Sequence, residues 1–326
     1  MIKFPSVTII VPMYNVERVL EQSLESIVIQ TYPIQKIILV DNRSTDQSVS
    51  IARKFATFYN TIPICIIERN KTYGLSDSYN LGAKLAKSSF VVTLHSDSML
   101  PTKYELRKLM QPFIKHKQVY AAAMPRVVHR KEDWRSYNFW QKCLFAQVVG
   151  TEQHNLNGKF DVYDRAVFLK LGGYDSKNFN HYIGSEDADM HFRLIAYGKI
   201  AATAARVVHL HGRDDTYGLQ DWLKRRKFLA ISYARQMQLH WMDMGIDILT
   251  FFVKPALSLL TIGGVFYPLL IIPITIFPFW YMRNMFGDSV SRKDRNILLL
   301  PCIVIYLVFA ETYWMMKDLF RKRYSV

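Results

Sequence analysis

Cysteine is scarce in this chain, with three residues in 326. Cys65, Cys143 and Cys302 are scattered without metal or disulfide spacing. That usage suits a reducing compartment and excludes a zinc module or a disulfide-stapled fold. There is no Gly-Lys-Ser/Thr loop and no Gly-x-Gly-x-x-Gly after the first strand, so ATPase and dinucleotide chemistry lack their phosphate-cradling motifs. Charge is missing from two stretches: 246–282 holds only Asp247 and Lys254, and 297–316 only Glu311. No aromatic-basic binding module accompanies the formal net charge of +15, which therefore does not point to nucleic acid.

What is present is bulk. Half of the residues are hydrophobic, enough to bury one large core or two modest ones. The first 112 residues are only mildly basic, with 13 Lys/Arg against 9 Asp/Glu. The excess lies later, in Lys224-Arg225-Arg226-Lys227 and Arg321-Lys322-Arg323, beside the most apolar segments. Basic clusters next to apolar runs fit an anionic membrane surface. About 20 apolar residues cross ~30 Å of hydrocarbon, and Ile297–Met316 fits one such crossing. The longer run is read as an interfacial helix, Gly245–Lys254, followed by one span, Pro255–Met282, kinked by Pro268, Pro273 and Pro278. The chain enters a strand almost at once without a charged leader. The expectation is a two-span membrane protein with its globular part in the cytoplasm.

Along that globular part, Val7–Val11, Lys36–Val40, Ile62–Ile67 and Phe90–Leu94 read as buried strands. Val16–Val28 and a segment from Gly74 to about Lys87 read as helices between them. Ser44-Thr45-Asp46-Gln47 has the form of a capping box with Ser44 as N-cap. Alternating strands and helices with short loops predict an α/β fold built on a mostly parallel sheet. Asp41 and Asp97 stand at strand exits, on the rim where such sheets bind ligands. Two carboxylates there suit a nucleotide-diphosphate site, one accepting from base or ribose and one holding a divalent cation.

Several motifs then fall in order: Val11-Pro12-Met13-Tyr14-Asn15, Val40-Asp41-Asn42-Arg43-Ser44-Thr45-Asp46, and Gly74-Leu75-Ser76-x-Ser78-x-Asn80-x-Gly82. Leu94-His95-Ser96-Asp97, Gly172-Gly173-Tyr174-Asp175 and Glu186-Asp187-x-Asp189-x-x-x-Arg193-Leu194 follow. Over roughly residues 5–212 the chain resembles family 2 inverting glycosyltransferases of the GT-A fold. With the charge and hydropathy pattern of the remainder, this divides the chain into a catalytic domain, 1–212 (nucleotide half 1–98, acceptor half 99–212), basic juxtamembrane helices, 213–254, and a transmembrane hairpin with a basic tail, 255–326. The resemblance implies that Pro12, Asn15, Asp41 and Arg43 line the nucleotide pocket and that Asp97 is the metal aspartate of a D-x-D element. That element departs from the family, because its first aspartate is His95. A lone carboxylate can still hold Mg²⁺ or Mn²⁺, and an added imidazole, from His95 or from His211 (or His209), would favour Mn²⁺.

Glu186 and Asp187 open a helical pattern, and adjacent residues there point about 100° apart, so they divide their work. The resemblance makes Asp187 the general base that deprotonates an acceptor hydroxyl. Arg213, Arg225 and Arg226 could meet diphosphate or lipid headgroups. The aromatic cluster Trp134, Tyr137, Phe139 and Trp140 suits core packing or an acceptor groove. The Gln-x-x-Arg-Trp element of processive synthases is not matched at Gln220-Asp221-Trp222, which implies a single sugar per turn of reaction. The expected partners are a UDP- or GDP-sugar, a hydroxyl on a lipid-linked or membrane-proximal glycan, and membrane lipids. Two alternatives stay open: a polyprenyl (dolichyl) phosphate acceptor, and a catalytically silent scaffold.

Overall fold

The computed structural model describes residues 4–115, 120–179, 184–210, 214–244 and 248–321. β1 (Val7–Met13), β2 (Lys36–Asp41), β3 (Ile64–Glu68) and β4 (Phe90–Leu94) run parallel in the spatial order β3-β2-β1-β4. Every residue of β1 is buried, because its two faces are both covered. Ile9 and Val11 pack with Leu20, Leu24 and Leu106 on one side; Ile10 packs with Tyr79, Ala83 and Tyr174 on the other. That alternation is the period of two of a strand between two helical layers. Gly82 lets the helix Leu75–Leu85 lie hard against β1, since a Cβ there would sit 2.4 Å from Ile10 Cγ2.

The sheet then changes character. β5 (Ser98–Met99), β6 (Tyr120–Val128), β7 (Glu152–His154), β8 (Phe160–Asp164) and β9 (Lys199–His209) extend it in the order β4-β8-β6-β9-β5, with β7 on β6. β8 is antiparallel to both β4 and β6, so the sheet is mixed beyond the nucleotide half. The four strands expected in the first hundred residues all form. The capping box does not: the helix begins at Ser48, its N-cap is Gln47, and Ser44 Oγ donates to Asp41 instead. Asp46 Oδ1 accepts from the Ser48 N–H and takes over the capping.

The C-terminal third differs most from expectation. Pro255–Met282 is not one kinked span. A helix Ile248–Gly263 runs across the expected 254/255 boundary, the chain turns at Gly264–Tyr267, and a second short helical stretch follows over Pro268–Tyr281. Pro268 and Pro273 stand at helix starts, where a missing N–H costs nothing, while Pro255 and Pro278 lie inside helices. Among the described residues one helix, Leu300–Leu319, is long and apolar enough to cross a membrane. A two-span hairpin is therefore not supported. The aromatic cluster turns out to be core: Trp134, Tyr137 and Phe139 are buried against Trp222, Met282, Met285 and Leu300, joining this module to the sheet domain.

Candidate active site

The exits of β1 and β2 are stitched together. The Asn15 N–H donates to Ser44 Oγ at 3.0 Å and Asn15 Oδ1 accepts from the Thr45 N–H at 2.8 Å. Asn15 and Arg43 both hold left-handed backbone, with φ of 52° and 67°, a conformation non-glycine residues keep only where surroundings impose it. Pro12 lies buried in β1 beside Val40 of β2. Asp41 is buried, and its carboxylate accepts from the Arg43 N–H at 3.0 Å and from Ser44 Oγ at 2.6 Å. It shapes the loop that its neighbours line.

Asp97 lies in the tight turn between β4 and β5, closed by the Ser98 N–H donating to the His95 carbonyl. β5 pairs with β9 so that Ser98 faces His209. Asp97 Oδ2 consequently stands 3.0 Å from His209 Nε2, and Asp97 Oδ1 lies 3.8 Å from His95 Nδ1. One potential ligand atom from each of the three residues falls within 4.8 Å of the others. Burial pushes His209 below its ordinary value, favouring the neutral ring that a metal needs, while Asp97 pulls the other way. A carboxylate with two imidazoles is a donor set that can hold a divalent cation accepting both oxygen and nitrogen ligands. The sequence left the choice between His209 and His211 open. His209 joins the cluster, and His211, like Arg213, lies outside the described residues.

Gly184 and Ser185, with φ of 69° and 70°, swing the chain into the helix Glu186–Ile195. Glu186 is buried and Asp187 half-buried. Burial, and then the Asp187 charge, raise the Glu186 carboxyl well above the usual range. Burial raises Asp187 too, against the cations Lys159 and Arg225. A side chain at Gly184 would meet Arg225 Nη1 at 3.8 Å and Glu186 Oε2 at 3.9 Å, so Arg225 does stand beside the acid pair. Arg226, the next residue, is instead paired with Glu311.

The other acids of the motifs have structural employment. Asp175 accepts from the N–H groups of Lys177 and Asn178. Asp189 takes Arg193 and His240, each at 2.8 Å, and Arg193 Nη1 donates to the Leu171 and Gly173 carbonyls. Asn80 clasps the backbone of Tyr174 from both sides, and a Cβ on Gly173 would lie 2.1 Å from its Oδ1. Among these motif acids, Glu186 and Asp187 are the pair whose proton affinity burial raises.

Sequence reasoning missed the loop leading into β8. Lys159 lies at the entry to β8 beside the exit of β4, where the His95 N–H donates to its carbonyl. Its charge acts on His209, Asp161, Glu186 and Asp187. Asp161 is fully buried and accepts from the Asn157 and Gly158 N–H groups at 2.8 and 2.6 Å; burial nevertheless pushes it up to about 7. Tyr79 props the same loop by donating to the Gly158 carbonyl and stacking near His95. The Asn157-Gly158 turn signal was readable; the inward course of the two residues around β8 depends on its antiparallel insertion, which was not.

Fold and site together define a mixed-sheet GT-A-like domain with a carboxylate–imidazole cluster at its rim. Residues 8–174 match the model of Glycosyl transferase family 2, and the chain belongs to that family. It is 38% identical over 225 residues to a PGL/p-HBAD biosynthesis glycosyltransferase of Mycobacterium bovis, covering 69% of this chain and 83% of that protein. It is 36% identical over 98 residues to glycosyltransferase GlyA of Streptococcus pneumoniae, 30% of this chain and 14% of that one. The chain spans 15% and 43% of the length of two other curated relatives. Among solved structures, mannosyltransferase PcManGT from Pyrobaculum calidifontis, in complex with GDP-Man and Mn²⁺, superposes with a TM-score of 0.60 at 16% identity, over 98% of this chain and 89% of that one.

Proposed function

We propose that the protein is an inverting glycosyltransferase that moves one sugar from a nucleotide-diphosphate donor to a hydroxyl of a lipid-linked or membrane-proximal glycan. The observation that carries this reading is the presence, within reach of one lysine charge, of a His95–Asp97–His209 cluster and an acid pair with raised affinity for protons. In it the loops around Pro12, Asn15, Asp41 and Arg43 receive the nucleotide. His95, Asp97 and His209 hold a divalent cation, Mn²⁺ or Mg²⁺, whose positive charge would offset the charge building on the departing diphosphate. Asp187 accepts the acceptor's proton as that oxygen forms its bond to the anomeric carbon and the carbon–phosphate oxygen bond opens on the far side. A carboxylate made more basic by burial suits that transfer near neutral pH. Glu186, turned differently on the helix, stands beside Arg225.

The pair also separates acceptors. A polyprenyl phosphate arrives already ionised and needs no base, so it would leave Asp187 without a task. The PcManGT complex, solved with GDP-Man and Mn²⁺, supports a nucleotide sugar and a metal.

The test is donor turnover. Release of free nucleoside diphosphate should require a divalent ion and vanish in Asp97→Ala; persistence of metal-dependent release in that variant overturns the cluster's role. A sugar–lipid bond labile to mild acid would identify a sugar phosphate and overturn the hydroxyl acceptor.

A further inference from the structure

The helix Leu300–Leu319 is built inside out. Its exposed positions are Cys302, Tyr306, Phe309, Tyr313, Met316 and Lys317, an almost unbroken apolar stripe at helical spacing. Its buried face carries the acids: Glu311 is 2% exposed and Asp318 6%. Glu311 accepts from Arg226 Nε at 2.7 Å and from Lys254, and Asp318 faces Arg235 at 3.4 Å. Between Leu249 and Tyr281 the exposed residues likewise carry no charge. The turn between the two short helices shows Val265 and Phe266 at 79% exposure each. An apolar face this large and continuous is not a surface for water.

Its partners show that it is not a span either. Arg226 and Arg235 belong to the helix Leu219–His240, whose Trp222 shares a cluster with Leu300, Val304 and Leu307. The two helices therefore run side by side from Leu300 to Asp318. Leu219–His240 presents Lys224, Arg225 and Lys227 outward, and hydrocarbon cannot surround a pair of helices of which one is so charged. The 16-residue helix Ile248–Gly263 rises ~24 Å, short of the ~30 Å that a crossing needs. Exposed Lys227, Lys317 and Arg321 stand beside Tyr313 and Phe320, and Arg283 and Arg292 are exposed in the same module. Arg283 lies over Trp280 and Lys317 over Tyr313, pairings of aromatic and cation that fit a headgroup layer.

We infer that residues 248–321 form a one-sided platform that sinks its apolar face into a single leaflet of an anionic bilayer, with the Gly264–Tyr267 turn dipping deepest, and does not cross it. The inference deepens the membrane-proximal acceptor reading, and its test needs no transfer. The full-length chain, with Cys65 and Cys302 replaced by serine, is added to preformed sealed vesicles of phosphatidylcholine with or without phosphatidylglycerol.

Binding to the anionic vesicles should be ~10-fold or more tighter and weaken with salt. A membrane-impermeant maleimide added outside should label Phe58→Cys, on the sheet domain, and Val290→Cys, between the hairpin and the last helix, to equal extent. A fluorophore at Phe266→Cys should be quenched by lipids labelled at shallow depth. Labelling of Val290→Cys only after detergent would establish a crossing and overturn the inference. Failure to bind vesicles together with sedimentation as a dimer would give the apolar face to a second copy, and overturn it equally. Neither outcome touches nucleotide release, so the transfer reading stands or falls separately.

Discussion

The sheet domain and the C-terminal helices solve opposite solvation problems with the same amino acids. In the sheet, Val7–Met13 is buried to the last residue and charge gathers at the rim. In the helices the centre is ionic, with Arg226, Lys254 and Glu311 together, and the outside is Leu, Ile and Phe. Buried charges cost several kcal/mol each unless paired, and here both cations depend on the one carboxylate of Glu311. The difference teaches that the two regions were shaped by different surroundings.

The sharpest way to break the contrast is Glu311→Gln. It strands two cations in the helical centre and should cost ~3–5 kcal/mol, read as a lower urea midpoint with an unchanged slope. A loss below 1 kcal/mol would mean that the ions are not desolvated there. Next comes Asp187→Asn, which should lower turnover ~10²-fold or more with donor affinity kept. In the unaltered protein kcat/KM should rise with pH through the raised pKa of the Glu186–Asp187 pair, since the base works only when ionised, and this variant should lack that limb.

Asp161 gives an effect that is small per pH unit and spread over a wide window. Its pKa is higher folded than unfolded, so its contribution favours the fold below the ordinary carboxyl range and is lost as pH rises towards about 7. Stability should fall over that window by at most ~1.4 kcal/mol per pH unit, and Asp161→Asn, whose amide oxygen can still accept from Asn157 and Gly158, should flatten the decline. Least of all should be Phe266→Ser and Phe58→Ser. Both are about four-fifths exposed and should change stability by no more than ~0.5 kcal/mol, yet only Phe266→Ser should weaken vesicle binding.

Much of the sheet domain was legible because its signals are local. Four apolar runs bounded by turn residues became β1 to β4, and polar residues at their exits became the rim. Asp97 could be singled out from one strand end. Its partner His209 could not be chosen over His211, because that depends on the Ser98–His209 register of a two-residue strand. The capping box misled because Asp41, one strand earlier, captured Ser44 first. Apolar composition gave the C-terminal runs but not their fate, since hydropathy does not register the turn at Gly264–Tyr267 that divides one of them. Lys159 left no pattern at all: its importance arises only once β8 is inserted antiparallel beside β4.

One turn of the helix Leu219–His240 holds two neighbours with different allegiances. Arg225 stands by Glu186, and Arg226 grips Glu311. Successive residues on a rigid helix cannot shift independently. If the platform inferred above tilts on seating, the guanidinium beside Glu186 would be carried with it.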